Sequence, residues 1–347
     1  MDSLTQIVLG AACGEAVLGK KIGNKALLFG AIGGTIPDLD VYVGQWIYNN
    51  EIQVMAFHRG FMHSIWFAVI GCFVFGWLTF KLYNFRRRRG TTTLKDWIML
   101  YFWALFTHPI LDCFTPYGTQ LFSPISDYRV AFNTISVADP FYTIPFLFGM
   151  TALLFFKRNS QKRRLWFKIG VGASSIYLCL TVLNSWNVSS VFKKSLQDER
   201  MSFERFQTQP TILNNMLWYG VAETKDDYYI GFYSLFDDER RVKDWTRIPK
   251  EHHLIDLEDP NLKKLIWFSN GYFNVKASSD PNVFRFSDLR YPLADPTDMD
   301  SFIFSFKIQK MNNTWDMISS GPRFESKGKK VDPLEFFKPM FQRLKGI

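Results

Sequence analysis

Residues 61–83 read FMHSIWFAVIGCFVFGWLTFKLY, a run with the length and apolar content of a helix that crosses a bilayer. Three further stretches share that character: WIMLYFWALFTHPILD (97–112), DPFYTIPFLFGMTALLFF (139–156) and WFKIGVGASSIYLCLTVLNSW (166–186). Upstream, LTQIVLGAACGEAVLG (4–19) and KALLFGAIGGTIP (25–37) are shorter and rich in glycine and alanine. Such residues let helices approach closely in lipid, so these two predict a tightly packed helical pair. Residues 1–190 are therefore expected to form an N-terminal all-α, multi-spanning membrane bundle. After Trp186 the composition turns polar and aromatic. MLWYGVAETKDDYYIGFYSLFD (216–237) predicts a hairpin, 259–273 a short capped helix, and 282–293 and 300–310 strands. Residues 191–347 are expected to be a C-terminal α+β soluble domain with an antiparallel sheet, joined to the bundle by a polar connector at 187–210.

The 347 residues carry 41 Lys and Arg against 32 Asp and Glu, a net charge of +9. The cations are bunched between apolar runs, as KKIGNK (20–25), FRRRRG (85–90) and KRNSQKRRLWFK (157–168). That is the pattern of cytoplasmic loops facing anionic lipid headgroups. It lacks the basic stripe interleaved with base-stacking aromatics of a nucleic-acid domain, so no nucleic-acid partner is expected. The mean hydropathy of −0.06 averages two unlike halves. Cys13, Cys72, Cys113 and Cys179 lie in the apolar half with no CxxC spacing, so they read as small apolar fillers.

If the loops at 20–25, 86–95 and 157–168 are cytoplasmic, the opposite ends of the spans deliver a set of histidines and aspartates to one membrane face. These are Asp38 and Asp40 in PDLD, His58 and His63 in FHRGFMHS, His108 and Asp112 in HPILD, and Asp139. Ionisable groups at membrane depth are costly and mark function. Pro37 is expected to end the second helix and leave Asp38 and Asp40 extended, with both carboxylates on one side. His108 and Asp112, at i and i+4, share a helical face, and Pro109 predicts a kink between them. Imidazoles and carboxylates together suit zinc, manganese or iron. Glu15, a carboxylate inside an apolar helix, is expected at the same cavity as ligand or general base, and Gln6 is expected to orient a ligand by hydrogen bonding. Asp139 precedes a proline, which reads as a helix cap or a further supporting group. Arg59, between the two histidines, and Arg129 are the cations suited to an anionic substrate, since a guanidinium grips phosphate with two parallel bonds. Residues 113–138 are expected to form a lid or rim. His252 and His253 read as a solvated pair.

Taken together, MDSLTQIVLGAACGEAVLG, GTIPDLD, HRGFMHS and HPILDCFTPYGTQLFSPISDYRVAFNTISVADP resemble the DUF457, or YdjM-like, family over about residues 1–190. Its members are bacterial inner-membrane proteins described as metal-dependent hydrolases. The resemblance implies a multi-helix membrane domain with a His/Asp metal centre in the bacterial inner membrane. With the residues above, the expectation is a membrane-embedded hydrolase. One or two divalent ions, zinc or manganese foremost, would be held by Asp38, Asp40, His58, His63, His108 and Asp112. Its substrate would be a lipid or other amphipathic ester, a phosphoester before an acyl ester or amide. No GxSxG elbow argues for covalent catalysis. The C-terminal domain is expected to be extracytoplasmic and open to a protein partner. The rival readings are a non-enzymatic membrane scaffold with a structural metal and an ion or solute transporter.

Overall fold

In the computed structural model, residues 1–295, 297–311, 314–319, 325–326, 329–330 and 332–347 are described. Asp2 opens the first helix, α1 (Ser3–Ile22), by accepting the Thr5 amide at 3.0 Å, and Gly23, at φ +62°, turns the chain sharply into α2 (Asn24–Thr35). The two helices run antiparallel with almost no space between their backbones. A Cβ at Gly10 would overlap the Gly30 carbonyl, one at Gly14 the Ala26 carbonyl, and one at Gly34 the Gln6 carbonyl. In a medium as apolar as the side chains, such close backbone contact is a main source of helix association.

Beyond α2 come a 3₁₀ turn at Pro37–Leu39, α3 (Asp40–Ile47) and α4 (Glu51–Phe57). Then follow α5 (Ile65–Tyr83), α6 (Leu94–Asp112), α7 (Pro140–Ala152) and α8 (Gln161–Asp198). Their starts follow capping chemistry: Ser64 caps α5, Thr93 and Asp96 form a reciprocal capping box on α6, and Asp139 caps α7 with Pro140 behind it. α5 turns Ile70, Phe73, Val74 and Trp77 outwards, while its buried face carries Ala68, Gly71, Cys72 and Gly76. Large residues out and small residues in is the arrangement of a lipid-facing helix. The region is helical, and among the described residues two helices, α5 and α8, are long and apolar enough to cross a membrane. A third span results if α2 and the segment Pro37–Ile47, bent by 41°, count as one. At 38 residues, α8 merges the expected span at 166–186 with most of the helical part of the connector.

The chain divides into two compact units, Met1–Val43 with Phe57–Val182, and Gly44–Ala56 with Leu183–Ile347. The second unit contains two four-stranded antiparallel sheets rather than one. The first is β1 (Arg205–Pro210), β2 (Leu217–Glu223), β3 (Asp227–Ser234) and β4 (Trp245–Pro249), paired in that order. After α9 (Pro260–Phe268) come β5 (Phe273–Ala277), β6 (Val283–Asp288), β7 (Ser305–Met311) and β8 (Thr314–Ser319), also in sequence order. A two-residue ladder, β9 (Glu325–Ser326) with β10 (Lys329–Lys330), precedes α10 (Pro333–Arg343). The hairpin expected at 216–237 is β2–β3, in register from Leu217↔Ser234 to Glu223↔Tyr228.

Residues 44–56, which sequence order alone would leave with the membrane half, belong to this second unit. Ile52 is fully buried among Leu262, Leu265, Phe273, Val275 and Trp315, and that apolar contact outweighs chain order. His252 also departs from the solvated pair expected. Its ring stacks on Phe273 at 3.9 Å and donates from Nε2 to the Phe273 carbonyl at 2.9 Å, whereas His253 remains exposed.

Candidate metal centre

α2, α5 and α6 bring their histidine- and aspartate-bearing ends to one end of the first unit. The basic loops meet at the other, where Lys21 pairs with Asp96 at 2.6 Å and Arg158 donates to the Lys21 carbonyl. The turn at Pro37–Leu39 is helical rather than extended, so Asp38 and Asp40 point in different directions. They grip His63 from two sides. Asp38 Oδ1 lies 3.3 Å from His63 Nε2, and Asp40 Oδ2 lies 3.0 Å from His63 Nδ1. Asp40 also accepts the Arg59 amide at 2.8 Å and receives His58 Nδ1 at 2.7 Å on its other oxygen. Arg59 sits at φ +60°, a conformation costing about 1 kcal/mol for a non-glycine residue. It is held there by that amide bond and by the Gln120 amide, which donates to its carbonyl at 3.0 Å.

His108 stands in the last turn of α6, helical through Pro109, with Nδ1 2.7 Å from the Gly34 carbonyl. A carbonyl only accepts, so Nδ1 carries a proton, and in the neutral ring Nε2 then carries the lone pair. That lone pair faces His63 Nε2 across 3.1 Å and Asp38 Oδ1 across 3.4 Å. His63, whose Nδ1 faces a carboxylate, likewise turns its Nε2 into the cluster. One turn on, Asp112 Oδ1 is taken by Gln6 Nε2 at 3.0 Å, Arg59 Nη2 at 3.3 Å and the Met1 amino group. Among the described residues Asp112 Oδ2 has no hydrogen-bond partner, and it stands 3.5 and 3.6 Å from the two imidazole Nε2 atoms. His63, His108 and Asp112 are buried, and the Asp38 side chain is 19% exposed.

Asp38 Oδ1, His63 Nε2 and His108 Nε2 thus form a triangle with sides of 3.1, 3.3 and 3.4 Å. A tetrahedral ion bound at 2.0–2.1 Å spaces its ligands about 3.3 Å apart. A proton on one Nε2 satisfies one of these contacts at a time, whereas a cation satisfies all of them. His108 anchors its Nδ1 on the Gly34 carbonyl, as metal-bound histidines do, while Asp40 Oδ2 lies at ion-pair distance from His63 Nδ1. The residues fit a divalent ion.

The other expected residues take distinct places. Asp40 and His58 stand behind His63, and Gln6 Nε2 donates to Asp112 Oδ1. Arg59 is buried and donates from Nη1 to Thr115 Oγ1 at 3.0 Å, and among the described residues its Nε has no hydrogen-bond partner. Arg129 donates to the backbone carbonyls of His58, Tyr117 and Gly118, and both guanidinium groups lie over the Tyr117 ring, at 4.7 Å for Arg59 and 4.9 Å for Arg129. The expected lid, 113–138, folds back through a Thr119↔Val130 bridge and touches the Arg59 turn through Gln120. Asp139 accepts the Phe141 amide at 3.0 Å and the Tyr177 hydroxyl at 2.9 Å, which makes it a cap.

Glu15 departs from expectation. It stands nine residues beyond Gln6, about 13 Å along α1, and both of its oxygens are taken by Arg163 at 2.7 Å. Arg163, Tyr117, Thr115 and the Gly34 carbonyl were not among the residues expected at the site. Only Arg163 had a signal: a carboxylate inside an apolar helix needs a buried cation.

The model of the family described as YdjM inner membrane protein matches residues 1–188, which include the whole cluster. Uncharacterized protein YfhP of Bacillus subtilis (strain 168) is 25% identical over 307 residues, covering 84% of this chain and 87% of that protein, so the similarity continues into the second unit. No solved structure matches.

Proposed function

This chain belongs to the YdjM inner membrane protein family, and from that premise we propose that it is a membrane-embedded, metal-dependent hydrolase of a lipid or other amphipathic ester, a phosphoester before an acyl ester. The observation that carries this reading is the triangle of Asp38, His63 and His108, three ligand atoms at the spacing of one face of a tetrahedron. Three protein ligands with a remaining position are the hallmark of catalytic rather than structural zinc. Zinc or manganese bound there supplies a Lewis acid and brings the pKa of coordinated water towards neutrality. The Asp40 carboxylate, 3.0 Å from His63 Nδ1, favours a proton on that nitrogen. The same carboxylate orients His58, whose side chain is 23% exposed, so that its Nε2 can exchange a proton with substrate or solvent. Arg59 supplies positive charge beside the cluster for an anionic group. The basic loops at the opposite end support an orientation with the His/Asp end and the C-terminal domain outside the cytoplasm.

The test is the metal content of detergent-purified protein by mass spectrometry, with His63→Ala and His108→Ala beside the wild type. One ion per wild-type chain, lost in both variants, together with metal-dependent cleavage of a phosphate or acyl ester, is the expected result. Wild type that stays metal-free after incubation with zinc and with manganese overturns the proposal.

A second reading, a scaffold with a structural ion, draws on Asp112 Oδ2, an acceptor without a hydrogen-bond partner among the described residues and able to complete four protein ligands. X-ray absorption separates the two readings. An exchangeable oxygen ligand supports the enzyme, and four protein ligands with none support the scaffold.

A further inference from the structure

The segment between the second and third ligand-bearing motifs does not stay in the helical unit. Gly44 stands four positions after Asp40 and Ala56 two before His58, and everything between them belongs to the second unit. The hold there is specific. Asn50 caps α4 by accepting the Gln53 amide at 3.2 Å, and its Nδ2 donates to the Trp315 carbonyl at 3.1 Å. The Glu51 amide donates to Asp316 Oδ1, and Gln53 Nε2 to Asn261 Oδ1, each at 3.0 Å. Asn261 in turn donates to the same Trp315 carbonyl at 2.9 Å. Ile52 is fully buried in the core between α9 and the second sheet. β8 and α9 therefore fix a stretch whose two ends carry Asp38 and Asp40 on one side and His58, Arg59 and His63 on the other.

We infer that the C-terminal unit positions the metal centre through this segment, with Asn50 and Ile52 as positioning residues that act through the chain on Asp40 and His63. The inference rests on the metal reading above and assigns the C-terminal unit a role in it. Asp38 and His63 reach the cluster from opposite ends of the excursion, so the spacing between them depends on both ends being held. Loosening the anchor widens the distribution of ligand positions without removing any ligand. The effect should match that of losing a group that orients a ligand, about 10- to 100-fold in affinity.

The experiment uses the full-length chain in detergent and measures zinc affinity by competition with a chromogenic chelator. The variants are Ile52→Ala, Asn50→Ala and, as control, Met317→Ala. Met317 is buried in the same core but lies outside the segment. Thermal unfolding is followed on the same samples. Zinc affinity at least about tenfold weaker in Ile52→Ala and Asn50→Ala, and within about twofold of wild type in Met317→Ala, is the expected result. Asn50→Ala removes no core volume, so it keeps the test decisive if Ile52→Ala fails to fold. Wild-type affinity in Asn50→Ala and in folded Ile52→Ala overturns the inference and leaves the metal centre standing. Equal weakening in Met317→Ala overturns it too, because the effect is then one of general stability. Wild type that binds neither zinc nor manganese overturns both readings.

Discussion

The two ends of the helical unit both bury charge, and they do so in opposite ways. At the basic end, Arg163 donates from Nε and Nη2 to the two oxygens of Glu15, and from Nη1 to Asn24 Oδ1, the Leu153 carbonyl and the Phe156 carbonyl, all within 3.0 Å. Donors and acceptors balance, and the knot ties α1 to the start of α8. At the other end, two imidazole Nε2 atoms, Asp38 Oδ1 and Asp112 Oδ2 face one another, so with neutral rings acceptors outnumber donors. A balanced cluster holds a fold together. An acceptor-rich one is organised around something positive that comes from outside the chain.

This contrast can be broken by experiment. Arg163→Ala leaves the Glu15 carboxylate buried and unpaired, which should cost about 3–5 kcal/mol of stability. Metal bound per folded chain should not change. Thermal unfolding in detergent with metal analysis of the folded fraction checks both, and a parallel loss of metal would erase the distinction between the two ends. Asp40→Asn should do the reverse. An amide offers one acceptor oxygen where the carboxylate meets His58, His63 and the Arg59 amide. Zinc affinity should fall about 10- to 100-fold, with a smaller change in unfolding temperature than Arg163→Ala gives. The smallest effect concerns the second unit, whose titrating groups serve packing. Burial against Phe273 holds His252 below the usual histidine value despite its bond to the Phe273 carbonyl. The folded unit favours the neutral ring, so this contribution is complete above about pH 6.5 and is lost as the pH falls through the depressed value. Tryptophan-monitored denaturation of the full chain at pH 7.5 and 5.5 should show a drop in stability that His252→Gln reduces.

Much of the helical unit was legible in the sequence because its signals are local or periodic. The run at 61–83, the i,i+4 pair His108 and Asp112, and the sorting of basic loops against His/Asp motifs all concern neighbours or span ends. The parts that escaped depend on partners far away in the chain. Glu15 looked like a member of the cavity because the residue that satisfies it, Arg163, lies 148 positions on. Asp38 and Asp40 looked equivalent because Pro37 was read as breaking the helix, whereas it starts a 3₁₀ turn that sends one carboxylate to each side of the His63 ring. The excursion at 44–56 was invisible for a related reason. NNEIQVMAF holds several apolar residues, and nothing local marks that Ile52 and Met55 join the core of the second unit. In the second unit, alternation located strands but held no signal for dividing them between two sheets.

The glycine seam between α1 and α2 has a consequence for how this protein can change over time. Its members stand at every fourth position, Gly10 and Gly14 against Gly30 and Gly34, and each occupies space that a single methyl group would need. The Gly34 carbonyl is also the anchor of His108. Replacement at these four positions thus pries the helices apart and turns a ligand in the same event, and no single change elsewhere restores both. The outer faces of the pair are free to drift among apolar residues, while the seam has one spelling.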